Sequence, residues 1–189
     1  MNATTLIRSG GLAAIVAGVL RTAASFWPSS QPGVGLELLY LVIDLCILFG
    51  IMGVYAFQCE QSGRWGVVGF LLAVSGTAFI TGPDGRLGGV NVYDAGALVL
   101  GIGLCFLAIG SWRAKTLPRW IAILWVYSTV IGIAGASVES LSRLLVVSGV
   151  AFGVAFVGAG ASVWSQAPHR KCRRNDDFGQ RHGLMERAR

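Results

Sequence analysis

Histidine is missing from the first 168 residues of this 189-residue chain, since both imidazoles, His169 and His182, fall near its end. That disfavours histidine-ligated haem, di-metal hydroxylases and imidazole acid–base chemistry anywhere in the apolar body. Paired cysteines are missing too. Cys46, Cys59, Cys105 and Cys172 stand singly with no CxxC spacing, which argues against both a dithiol centre and a disulfide framework. Charge is scarce: 13% of the residues are Asp, Glu, Lys or Arg, against roughly 25% in a soluble domain. His169, Cys172 and His182 in a charged tail make a poor ligand set, so neither metal nor cofactor is expected. The basic tail has one aromatic, Phe178, too few to interleave with bases, and nucleic acid is excluded as a partner.

In place of charge the chain has long apolar runs. Hydrophobic residues make up 54% of it, and the mean hydropathy is +0.66. Six runs approach the roughly 20 residues a helix needs to cross a bilayer core: 5–27, 35–58, 65–82, 91–112, 119–136 and 143–164. The connections WPSSQPG, CEQSGR, GPDGRLGG, RAKTLPR and SVESLS are short, and four of the five contain Pro or Gly. Barrel strands would be shorter and would alternate, so the expected class is all-α. The expectation is one domain, residues 1–166, forming a six-transmembrane-helix bundle, followed by a basic, disordered tail, residues 167–189.

Orientation follows from Lys and Arg. With six spans both termini share a side, which then holds Arg8, Arg64, Arg113, Lys115, Arg119 and seven tail residues; the other side holds Arg86 and Arg143. Both termini are therefore expected to be cytoplasmic, in the cell membrane. Trp65, Trp112, Trp120 and Trp164 fall at the same helix ends and Trp27 at an opposite one, as interfacial anchors do. MNATTLIR, SGGLAAIVAGVL and RTAAS can also be read as the three regions of a cleaved signal peptide. Arginine before the cleavage site and the apolar continuation to Trp27 weigh against that reading. In the tail, Arg170, Lys171, Arg173 and Arg174 are expected to meet anionic lipids of the cytoplasmic leaflet, at about 1 kcal/mol each. A tail that merely enforces topology is the competing reading.

One charge sits within an apolar run. Arg21 continues a stripe of small residues, Ala13, Ala17 and Ser25, at four-residue spacing, and such stripes let helices approach closely. Arg21 should face protein, because a guanidinium in lipid costs several kcal/mol. Glu37, Tyr40 and Asp44 share one face of the next span. Counted from the outer helix ends, Asp44 and Glu37 bracket Arg21 in depth, with Asp94 of the fourth span, beside Asn91 and Tyr93, as a third acid. The cluster Arg21, Glu37, Tyr40, Asp44 and Asp94 has three readings: a structural ion pair, a polar pocket for a small solute, or an arginine snorkelling to the headgroups. An Mg²⁺–phosphate site would need these carboxylates free of Arg21. In the last span, Gly149 and Gly153 mark a close helix contact, within the bundle or between protomers.

GVYAFQCEQSGRW and GSWRAKTLPRW share Gly, an aromatic, a polar loop and Arg-Trp. Shared interfacial anchoring explains this as well as duplication does. The Arg8-led GGLAAIVAGVL opening and LPRW at 117–120 resemble small bacterial multi-spanning membrane proteins. The resemblance covers a minority of the chain and implies about six helices and no assigned chemistry. In length and in its small-residue first helix the chain also resembles the membrane-embedded subunits that bind substrate in energy-coupling-factor vitamin transporters, although no vitamin-specific motif is present. The expected function is that of a non-catalytic accessory or structural membrane protein binding lipid, other membrane subunits or itself. A small-solute binding or transport bundle is the alternative.

Overall fold

A computed structural model describes residues 3–27, 33–82, 86–87, 90–138, 141 and 143–187, with backbone alone for residues 3, 86, 87, 90 and 167–187. Its elements are α1 (Ala3–Ala24), α2 (Val34–Thr81), β1 (Arg86–Leu87), β2 (Val90–Asn91), α3 (Val92–Ala114), α4 (Arg119–Ser137) and α5 (Arg143–Arg187). The two short strands pair antiparallel, Arg86 opposite Asn91 and Leu87 opposite Val90. Each helix contains a segment long and apolar enough to cross a membrane; in α5 it is Arg143–Gln166.

Among the described residues five helices are present where six were expected. The runs 35–58 and 65–82 belong to one 48-residue element, α2, whose backbone leaves the helical region at a single residue, Gly63, with φ 57° and ψ −159°. The linker CEQSGR contains one helix breaker, so helical bonding continues up to it from both sides. That φ/ψ region is open essentially to glycine alone. The consequence is a reversal. Tyr55 and Phe70 would stand about 22 Å apart along a straight helix, yet their rings stack with centroids 4.3 Å apart and planes 15° apart. Residues 34–62 and 64–81 are thus two antiparallel arms.

The rods touch in a ring. α1 packs between the first arm of α2 and α5, the second arm packs on α3, and α4 bridges α3 and α5. Two kinds of seam join them. Between α2 and α3 the backbones meet: a methyl group added to Gly103 would strike the Ala73 backbone, and one on Gly76 would strike Leu100. Gly10 against Gly53 and Gly18 against Gly153 make the same kind of approach for α1. Between α3 and α4, Gly101 packs on Thr129, but nearer the turn side chains leave an apolar groove of about 550 Å³ that opens on the outside of the bundle. The core is filled by Trp125, Phe156, Ile43, Ile51, Leu104 and Leu107, with Trp125 edge-on to Phe156 at 5.9 Å. Outward-facing Leu12, Val19, Phe49, Leu71, Ile123 and Val154 stay exposed, a surface that water would not tolerate without association.

Helix ends follow their local chemistry. The Asn91 side chain accepts from Tyr93 N–H at 3.1 Å and starts α3; Lys115, left-handed at φ 52°, ends it. α5 runs on as a helix to Arg187. The side chains of Arg170, Lys171, Arg173 and Arg174 lie outside the described residues, as do those of His169, Cys172 and His182.

Candidate functional site at the ends of the bundle

The helix contacts set the level of every polar side chain. Gly10 lies against Gly53 and Ala14 against Gly50, a register that brings Arg21 level with Ile43 and Asp44. The Tyr55–Phe70 stack places Asp44 level with Thr81, and Gly76 against Gly96 and Leu100 places Thr81 level with Tyr93 and Asp94. Three helices therefore deliver Arg21, Asp44, Tyr93 and Asp94 to one end of the bundle. Arg21 and Asp44 act on each other electrostatically. Tyr93 experiences Arg21, Asp44, Tyr40 and Asp94 together.

The arrangement is looser than a pair. Among the described residues no Lys or Arg nitrogen comes within 4.0 Å of a carboxylate oxygen, so Arg21 and Asp44 make no direct ion pair. Arg21, Tyr40 and Asp44 are half-buried and Asp94 is exposed. Glu37, seven residues and about 10 Å further along α2, is exposed and stands apart from the group. By the same register Arg21 lies in depth between Glu37 and Asp44, with Glu37 on the part of α2 that overshoots the end of α1. A Cβ at Gly149 would strike the Ser25 hydroxyl and come 4.0 Å from Arg21 Nε, so the missing side chain makes room for Arg21 beside α5. Ser25 Oγ in turn donates to the Arg21 carbonyl at 2.9 Å.

Of the residues expected to pack helices, Ala17 is fully buried and Ala13 half-buried. Gly153 lies against Gly18 and Thr22 of α1, so this glycine contact is made within the bundle. The hydroxyls at depth are satisfied locally or by a neighbour. Thr77 donates to Ala73 at 2.8 Å, and Ser148 of α5 to the Ser128 carbonyl of α4 at 2.7 Å.

The opposite end carries a polar node that the sequence did not reveal. Gln58 is 0% exposed. Its Oε1 accepts from Ser111 Oγ at 2.6 Å and from Thr116 Oγ1 at 3.1 Å. Its Nε2 and the buried Ser62 Oγ have no hydrogen-bond partner. In the sequence Gln58 closes an apolar span beside the polar linker, and the fold-back at Gly63 goes with its placement against α3. Cations cover aromatic rings at this end: Arg8 over Trp164 at 4.8 Å, Arg64 over Trp65 at 5.9 Å and Arg119 over Trp112 at 5.8 Å. Cys46, Cys59 and Cys105 are free thiols. Among the described residues no three His, Cys, Asp or Glu side chains gather as metal ligands.

No family model matches the chain, and neither a curated protein nor a solved structure does.

Proposed function

We propose that the chain is a multi-pass protein of the cell membrane that works without catalysis, as an accessory or structural helical bundle. In this reading α1, both arms of α2, α3, α4 and the first half of α5 each cross the bilayer, giving six crossings. The ends bearing Arg8, Arg64, Arg113, Lys115 and Arg119 face the cytoplasm. The observation that carries it is the composition of the interior. Among the described residues the buried side chains are apolar except for Gln58, Ser62, Thr77, Ser111, Thr116 and Ser128. Proton relays, catalytic acids and ion paths in membranes are built from charged side chains facing the bundle interior, and here such groups stay at the ends.

Labelling with a membrane-impermeant maleimide tests the topology. The exposed thiol of Cys59 should react only after the cells are opened, and a cysteine replacing exposed Ser137 should react in intact cells. Reaction of Cys59 from outside would reverse the orientation. Recovery of stoichiometric partner subunits in mild detergent supports the accessory role.

A second reading is favoured by one observation: the Arg21 guanidinium lies in the field of Asp44 without closing on it. A small polar solute fits between such groups. Thermal stabilisation by one compound from a solute panel, lost in Asp44→Asn, would establish that reading over the first.

A further inference from the structure

We propose that the groove between α3 and α4 is a binding site for one acyl chain of an anionic phospholipid drawn from the cytoplasmic leaflet. The proposal rests on the membrane reading above and names a ligand that reading does not require.

The groove starts where α3 turns into α4. Its walls are Ile109 and Trp112 on one side and Ile123, Val126 and Val130 on the other; all five are exposed. From Ala122, near the turn, to Val130 it extends about 12 Å along α4. One leaflet contributes about 15 Å of hydrocarbon, half of a core of about 30 Å. The groove thus reaches from the basic end of the bundle to near mid-membrane, the depth a lipid tail occupies. At about 550 Å³ it falls within the range of pockets that hold small ligands.

Charge at its mouth selects the headgroup. Arg113 lines the groove, and Lys115 and Arg119 follow in the turn, all three exposed. None has a carboxylate within ion-pair distance among the described residues. Arg119 lies over the Trp112 ring at 5.8 Å, next to Arg113 in sequence. A phosphodiester is the anion that arrives at this depth already attached to an apolar chain, and guanidinium groups bind it well. A second copy of the chain would bring its own basic turn to the same level, which disfavours it as the occupant.

The full chain, purified in mild detergent, is to be tested by native mass spectrometry with phosphatidylglycerol and with phosphatidylcholine of identical tails. The expected result is one retained phosphatidylglycerol per chain and weaker retention of phosphatidylcholine. Arg113→Gln with Arg119→Gln should weaken the preference about twenty-fivefold, a factor of about five per cation. Val126→Trp, which fills the groove from an exposed position, should release both lipids. Changing Arg170, Lys171, Arg173 and Arg174 to Gln should leave the single lipid in place. Equal retention of the two lipids, an unchanged preference in the double-arginine variant, or loss on changing the tail alone would each overturn the proposal. A dimer mass in place of a lipid adduct would assign the groove to a second copy. Recovery of the chain in the supernatant of a carbonate wash would defeat the membrane reading itself, whereas a carbonate-resistant chain with no lipid preference defeats the groove alone.

Discussion

Helix α3 has two unlike neighbours. Toward the second arm of α2 it offers Gly96, Gly103 and Gly110, and the two backbones touch; toward α4 it offers Ile109 and Trp112, and the helices stand apart around the groove. Both seams are apolar and both lie on one helix, so composition does not separate them. What separates them is side-chain volume on the facing stripe, which on the close side is a glycine every seven residues. Small residues permit main-chain contact, where dispersion and weak Cα–H···O contacts accumulate; large ones exchange that contact for a cleft that another molecule can enter. A bundle with the first kind of seam throughout would have nothing to bind on its flank.

The contrast can be broken most directly at Gly103. Gly103→Leu drives a side chain into the Ala73 backbone and should cost about 3 kcal/mol or more, read as loss of the monodisperse species in detergent. Next is the reversal that brings the close seam about. Gly63→Ala meets nothing within 4 Å, so its cost is conformational alone, about 1–3 kcal/mol, visible as a lower midpoint of thermal unfolding; an unchanged midpoint would show that the arms do not need this φ. Ser111→Ala removes the donor to Gln58 at the lower end of the same seam and should cost about 1 kcal/mol. At the upper end, Arg21→Ala and Asp44→Ala should couple by less than about 1 kcal/mol in a double-mutant cycle, as half-exposed charges without contact do. A coupling of several kcal/mol would mean that the pair closes in the bilayer. The smallest effect belongs to the groove: Ile123→Ala, 53% exposed in the native chain, should stay within about 0.5 kcal/mol in stability.

How much of this was legible beforehand depends on range. The apolar runs were readable because bilayer thickness imposes a length. Arg21 and Asp44 were readable as neighbours because depth can be counted along two consecutive helices. The same count puts Glu37 on the outer side of Arg21, but nothing local announces that the first arm of α2 rises past the end of α1 and leaves Glu37 exposed. The boundary between the second and third spans was drawn at a polar linker, yet the chain keeps helical bonding up to a single glycine. Gln58 closed the second span beside that linker and nothing singled it out; its burial depends on α3, more than fifty residues away. The groove was beyond reach for a related reason. It is a gap between side chains, and a pattern of apolar residues reads the same over a gap as over a contact.

The overshoot of α2 has a consequence for the surroundings. Residues 34–62 extend about 43 Å at 1.5 Å per residue, whereas the 19 residues of α4 extend about 28 Å. Circling the perimeter, the helix height changes by about half, the long arm carrying Glu37 and Asp44 toward one end and Glu60 at the other. If the bundle crosses a bilayer as proposed, the lipids beside α4 and beside the long arm meet helices of different height, a mismatch that costs fractions of a kcal/mol per ångström. The molecule is in effect a wedge in elevation. Two of them would lower the elastic cost by meeting tall side to tall side.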